Sequence, residues 1–213
     1  MSKNRRRSKK RVRAPDATRQ KLLEVAFEEF YRHGFQAASM QTILEKAGVS
    51  KGGLYHHFVD KAALGYAVVD EVIRNPVLDA YLGALERDSD DPLTTLQNVL
   101  RQRPDHFITT GINQGCPLNN LAQEMSPLDE EFRLRLAATF EAWIDGFAVA
   151  LERAQERGIM RPEVDARAVA RLLVAAIEGS FGLAKNAQSV DLLRANLEML
   201  ANFLDGLRTA TPV

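Results

Sequence analysis

Apolar residues recur at three- and four-residue intervals along nearly the whole chain, and no alternating run of useful length interrupts them. That is the period of helices, not strands. Over residues 16–33 the apolar positions Leu22, Leu23, Ala26, Phe27 and Phe30 share one helical face, and Gly34 offers the left-handed residue that ends such a helix. Ser39 caps a second helix through Ala47, Gly48 closes it, and Ser50 caps a third through Phe58. Asp60 opens a long fourth helix that must bend or break at Asn75-Pro76, because proline withholds a backbone donor.

Asp91-Pro92 and Ser126-Pro127 each place a capping side chain before a first-turn proline. Gly115-Cys116-Pro117 repeats the pattern with cysteine in the cap position, opening a helix over residues 118–124. Phe132, Leu136, Phe140, Trp143, Phe147 and Leu151 form one stripe over residues 127–157, with Gly158 as its stop. Two more helices, over residues 165–185 and 189–208, complete an all-α chain of about nine helices without internal repeats.

The stretch SMQTILEKAGVSKGGLYHHFVDK, residues 39–61, holds two short helices joined at a glycine, the pattern of a helix-turn-helix. Leu22, Ala26, Phe30, Ile43, Leu44 and Ala47 can bury against Val49, Leu54 and Phe58, which leaves the third helix projecting. Its outward positions are Lys51, Gly52, Gly53, Tyr55 and His56, with His57 at the margin. Two adjacent glycines cost a short helix about 1 kcal/mol each against alanine, and close backbone approach to DNA would compensate. Tyr55 and His56 can donate to phosphates or reach a base edge. Ser39 and Gln41 lie where the second helix offers backbone N–H groups to a phosphate. Lys61 starts a helix, where its charge gains little locally, so a phosphate is its expected partner.

Charge sharpens this reading. Residues 1–61 hold 14 Lys/Arg against 6 Asp/Glu, and the remainder holds 14 against 22, so a net charge of zero conceals a basic head and an acidic body. Residues 1–13 alone carry eight Lys/Arg and no acid. They read as a solvated tail or as an arm that neutralises phosphates, and the two roles are compatible.

The chain is expected to divide into a basic arm over residues 1–15, a three-helix DNA-binding domain over 16–62 and a helical body over 63–213. One cysteine, no apolar run of 18 residues and no apolar segment after the basic N-terminus point to the cytoplasm, with no membrane partner. Nothing resembles a P-loop, GxSxG, HExxH, a Cys/His metal spacing or a dinucleotide-binding glycine turn, so neither an enzyme nor a metal or other cofactor is expected. The carboxylates Glu124, Asp129, Glu130 and Glu131 sit at expected helix ends, where charge is locally useful. A non-specific, nucleoid-type DNA-binding protein is the rival from another class. The acidic, apolar-rich body argues against it, and its signature would be steep salt dependence without sequence preference.

Residues 18–64, with HGF ending the first helix and LYHHF in the third, resemble the DNA-binding domain of the TetR family of transcriptional repressors. The resemblance implies a homodimer that sets residues 51–56 in successive major grooves of a palindromic operator. It also implies a small molecule in the body that releases the DNA. Two late segments, residues 169–184 and 192–207, are apolar on more than one face. This suits a four-helix bundle between protomers, or alternatively a large monomer core.

Two effector arrangements are open. Cys116, at a helix start, is either a thiol activated by the helix N-terminus or a small buried hydrophobe. The stretch GCPLNNLAQE resembles a TetR branch in which some members respond to electrophiles or oxidants through a cysteine here, and Lys185 matches a lysine that can lie near that thiol. The other arrangement is a non-covalent pocket for an apolar ligand or an organic acid. Phe107, Phe140, Trp143, Phe147 and Phe181 would form its walls, with Asn113, Asn119, Asn120 and Gln123 as orienting groups. The same aromatic stripe would serve equally as core, and His106 could join either arrangement or lie at the surface.

Overall fold

The computed structural model describes residues 14–86 and 90–209, so the expected arm over residues 1–13 lies outside the described residues. The helices are α1 (Ala14–His33), α2 (Met40–Ala47), α3 (Lys51–His57), α4 (Lys61–Val68), α5 (Arg74–Leu82), α6 (Pro92–Gln102), α7 (His106–Thr110), α8 (Pro117–Met125), α9 (Glu130–Glu156), α10 (Ala166–Ala187) and α11 (Val190–Asp205). A π turn, Val69–Ile73, makes α4 and α5 one continuous rod, and a 3₁₀ turn, Arg103–Asp105, does the same for α6 and α7. Eleven segments thus form nine rods among the described residues, the all-α architecture expected.

Local chemistry sets the boundaries. Gly34, Gly48 and Gly158 take positive φ where α1, α2 and α9 stop. The side chains of Ser39, Ser50, Asp60, Asp91, Asp165 and Ser189 each accept a first-turn N–H of the helix that follows. Ser126-Pro127 does not open α9. Ser126 still donates its N–H to Ala122 as the end of α8, and Asp129 takes the cap by accepting from Glu131 and Phe132. An aspartate followed by Glu130 and Glu131 favours the helix dipole more than a serine three residues earlier. The long fourth helix does not break at Pro76 either. The ladder widens one turn upstream, where the Arg74 N–H reaches the Val69 carbonyl, and α5 then runs through the proline.

In the head, Leu22, Leu23, Ala26, Phe30, Ile43, Ala47, Leu54 and Phe58 are buried together, with Leu44 and Val49 half-buried against them. This is the packing expected from sequence. The body centres on α9, whose Phe132, Trp143 and Phe147 are fully buried between α5, α6, α8 and α10. Head and body meet where α4 crosses α9. Gly65 is needed there, because a Cβ would lie 2.5 Å from the Phe132 ring and 2.6 Å from that of Phe35. Helices α10 and α11 pack on each other, α10 also against α9 and α11 against α6. Their outer faces leave Leu172, Leu183, Met199 and Phe203 exposed.

Candidate DNA-reading head and effector cavity

The candidate reading face is α3. Lys51, Gly52, Tyr55 and His56 are exposed, while Leu54 anchors the helix in the core. The Lys51 ammonium lies 6.0 Å from the centre of the Tyr55 ring. Ser39 and Gln41 are exposed on α2 and its cap, with Gln41 donating to Glu45 at 2.7 Å. The two glycines divide in purpose. A Cβ on Gly53 would meet Val49 Cγ1 at 2.9 Å and Ser50 Oγ at 3.4 Å, so internal packing alone excludes a side chain there. A Cβ on Gly52 meets nothing within 4 Å. Only Gly52 retains the expected rationale, that a bare backbone admits a partner from outside.

Lys61 differs from expectation in its local role. Its ammonium donates to the carbonyls of Gln36 at 3.0 Å and Ala38 at 2.7 Å and lies 4.9 Å from the Phe35 ring centre. Burial lowers its pKa, against the field of Glu124. The side chain therefore ties down the turn between α1 and α2, which its sequence position does not reveal. Glu124, on α8, holds the same turn from the body by accepting the N–H groups of Phe35 and Gln36, both at 2.8 Å. A second link joins α1 to the segment before α8, where the Tyr31 hydroxyl donates to the Gly115 carbonyl at 2.5 Å.

Between these links lies a cavity of about 330 Å³. Its walls combine Phe27 and Tyr31 of the head with Val72, Ile73 and Pro76 of the π turn and α5. Tyr81, Arg103, Phe107, Gly115, Cys116 and Phe181 complete it. A wider depression of about 640 Å³ adjoins it and shares Phe27, Tyr31, Ile73, Gln114 and Pro117. The effector residues expected from sequence separate accordingly. Phe107 and Cys116 line the first cavity, as do Asn113, His106 and Phe181. Asn120 and Lys185 line the second, joined by a 3.2 Å hydrogen bond from the Lys185 ammonium to Asn120 Oδ1. Asn119 and Gln123 lie there too.

Trp143 and Phe147 line neither cavity. They sit one layer behind, where Trp143 stacks on Tyr81 with ring centres 4.1 Å apart, so this part of the stripe is core. Phe140, also absent from both walls, packs half-buried against the core.

Of the two arrangements open for Cys116, its surroundings fit the buried one. Cys116 is buried, and its pKa is raised well above the ordinary thiol value by burial and then by the neighbouring Glu178 carboxylate. The Asn119 and Leu118 amides of the helix start oppose this shift but do not outweigh it. Lys185 supplies no ion pair, because its ammonium is turned to Asn120.

Glu178 itself is 6% exposed, and among the described residues neither of its carboxylate oxygens has a nitrogen or oxygen partner. Burial pushes its pKa up to about 7, against the Cys116 thiol and Arg103, which lower it. Sequence reading missed Glu178, although a lone acid within VAAIEGSF was the available signal. It also missed Phe27 and Tyr31 as cavity walls, because their spacing on α1 reads as ordinary core.

Residues 22–68 match the family described as bacterial regulatory proteins, tetR family, and residues 92–199 match the LmrA/YxaF-like transcriptional regulator C-terminal domain. Among curated relatives, the HTH-type transcriptional repressor DhaR of Mycobacterium sp. (strain GP1) is 32% identical over 162 residues, covering 76% of this chain and 79% of that one. The transcriptional regulator AcuR of Cereibacter sphaeroides is 30% identical over 192 residues, covering 87% and 80%. A regulatory protein TetR from Rhodobacter sphaeroides, solved by crystallography, superposes with a TM-score of 0.77 at 28% identity, covering 87% of this chain and 97% of that one. Two matched domains, in the order head then body, and relatives similar over most of their length place the chain in the TetR family of transcriptional regulators, DNA-binding proteins and not enzymes.

Proposed function

We propose that the protein is a homodimeric transcriptional repressor that binds a palindromic operator through α3 and is released by a small effector held without covalent attachment in the 330 Å³ cavity. The observation that carries this reading is the composition of the cavity wall. Phe27 and Tyr31 belong to the DNA-binding head, the rest to the body, and Tyr31 and Glu124 hydrogen-bond across the same junction. A ligand that displaces either wall moves the head, so occupancy and head orientation are linked. Repression is supported by the name of the relative DhaR.

DNA contact falls to Lys51, Gly52, Tyr55 and His56, with Ser39, Gln41 and the remaining donor of Lys61 on phosphates. Gly53 shapes the helix for them. Dimerisation falls to α10 and α11. Leu172, Leu183, Met199 and Phe203 are exposed there, and Gly179 and Gly182 open onto free space that a partner helix could enter. Among the described residues no helix is long and apolar enough to cross a membrane, and we place the protein in the cytoplasm with its DNA.

Buried, protonated Cys116 favours the non-covalent reading over a sensor thiol. Operator binding on the region upstream of the protein's own gene, wild type against Cys116→Ser, tests this. We expect both proteins to bind a specific sequence and to release it equally with one effector. Release of wild type alone would restore the thiol, and binding indifferent to sequence would remove the repressor.

A further inference from the structure

Arg103 is the residue of the cavity whose position the family reading does not explain. It lies on the 3₁₀ turn between α6 and α7, and its guanidinium faces a space otherwise walled mainly by aliphatic and aromatic groups. Two rings flank it: the Cζ atom is 5.2 Å from the centre of Tyr81 and 5.2 Å from that of Phe107. Its Nε donates to the Tyr81 hydroxyl at 3.3 Å. These contacts fix the plane of the group while engaging one of its five N–H donors. Among the described residues no carboxylate reaches ion-pair distance of it, and its two terminal nitrogens make no hydrogen bond. Glu178 acts on it only through space.

An oriented guanidinium with its outer edge unused, in a cavity at the small end of ligand sites, is built for a planar anion. We infer that the cavity binds a small monocarboxylate, its carboxylate paired with the free edge of Arg103 and its apolar portion against Phe27, Val72, Ile73 and Phe181. Arg103 is the one permanently charged group of the wall, and the other polar lining, Asn113, Gln114, His106, Cys116 and the Tyr31 and Tyr81 hydroxyls, carries no permanent charge. The planar fork suits a carboxylate, whereas a dianion would bring a second charge into a largely apolar enclosure that holds one permanent cation. The inference rests on the cavity being the effector site and adds what that effector must carry.

Trp143, the chain's single tryptophan, stacks on the Tyr81 that holds Arg103, so its fluorescence reports on the cavity. The full-length protein is titrated with butanoate, hexanoate and benzoate, and in parallel with butanamide, hexanamide and benzamide. We expect saturable changes with the acids and at least about tenfold weaker binding of each matched amide, a gap of about 1.4 kcal/mol. Arg103→Met should abolish that preference, and Arg103→Lys, which keeps the charge without the planar edge, should recover only part of it. Amides binding as tightly as acids, acids giving no saturable change in fluorescence or melting temperature, or a preserved preference in Arg103→Met would each overturn the inference.

If circular dichroism shows that Arg103→Met fails to fold, the acid-to-amide ratio on the wild type decides alone. Mobility-shift assays with the same compounds separate the two readings. Acids that bind through Arg103 yet leave DNA bound refute the effector role and uphold the carboxylate site. Neutral apolar molecules that release DNA while acids do not bind do the reverse.

Discussion

Gly52 and Gly53 are identical in sequence terms and opposite in physical ones. A methyl group on Gly53 would press into Val49 and the Ser50 cap, a close contact that costs about 1–3 kcal/mol and more than offsets the gain of about 1 kcal/mol in helix propensity. Gly53→Ala should therefore lower the urea midpoint of the head. Gly52→Ala meets no atom, so it should raise stability by up to about 1 kcal/mol and yet weaken operator binding, because its methyl stands on the reading face. Denaturation and DNA binding measured on both variants give the two effects separately.

Glu178 carries a second residue-scale expectation. Its folded-state pKa of about 7 lies above the ordinary carboxyl value of 4.5, so between those limits the folded protein holds a proton that the unfolded chain has lost. Its contribution is full below pH 4.5 and disappears as pH rises through 7, a loss of about 3 kcal/mol. Glu178→Gln should flatten that part of a stability–pH curve measured by chemical denaturation. Neither the division of the glycines nor the burial of Glu178 is legible in sequence. Both depend on which neighbour, tens of residues distant or one turn back, reaches the position.

At the scale of elements, sequence carried most of the fold, because helix ends are written in local chemistry. Serine and aspartate caps and three of the stop glycines fall where expected. It misjudged Ser126 because two plausible caps lie three residues apart, and the choice depends on how far α8 continues. It expected the helix to be disturbed at Asn75-Pro76, and the irregular turn lies just upstream, because a helix can absorb a missing donor by widening a turn. Connections between elements were the least legible feature. Glu124 was read as a helix-end charge, and in the structure it reaches from α8 to the turn after α1. Glu124→Ala should remove two charge-assisted bonds worth about 1–2 kcal/mol together at this partly exposed site. Amide hydrogen exchange at Phe35 and Gln36 should accelerate, and operator affinity should fall in the absence of any effector.

For the whole molecule, α10 and α11 carry an exposed apolar stripe, Leu172, Leu183, Met199 and Phe203, on elements separate from the proposed reading helix α3. If that stripe joins two protomers, Leu172→Glu buries an unpaired carboxylate in each, at about 3–5 kcal/mol apiece. Sedimentation velocity should then report a monomer, and operator binding should weaken because two half-sites no longer act together. The stripe was legible because two late helices are apolar on more than one side. The cavity was not, since an aromatic at helical spacing looks the same whether it faces a void or a neighbour.

If the cavity is the effector site, ligand preference and operator affinity share residues, because Phe27 and Tyr31 are at once cavity wall and part of α1. A lineage, or an engineer, retuning the cavity at those two positions would shift basal gene expression with the same substitution. Changes at Val72, Ile73 or Phe181, which belong to the body, leave the head's own helices intact. New inducer specificities should therefore arise first on the body side of the cavity, with the α1 side held fixed by the promoter it must still recognise.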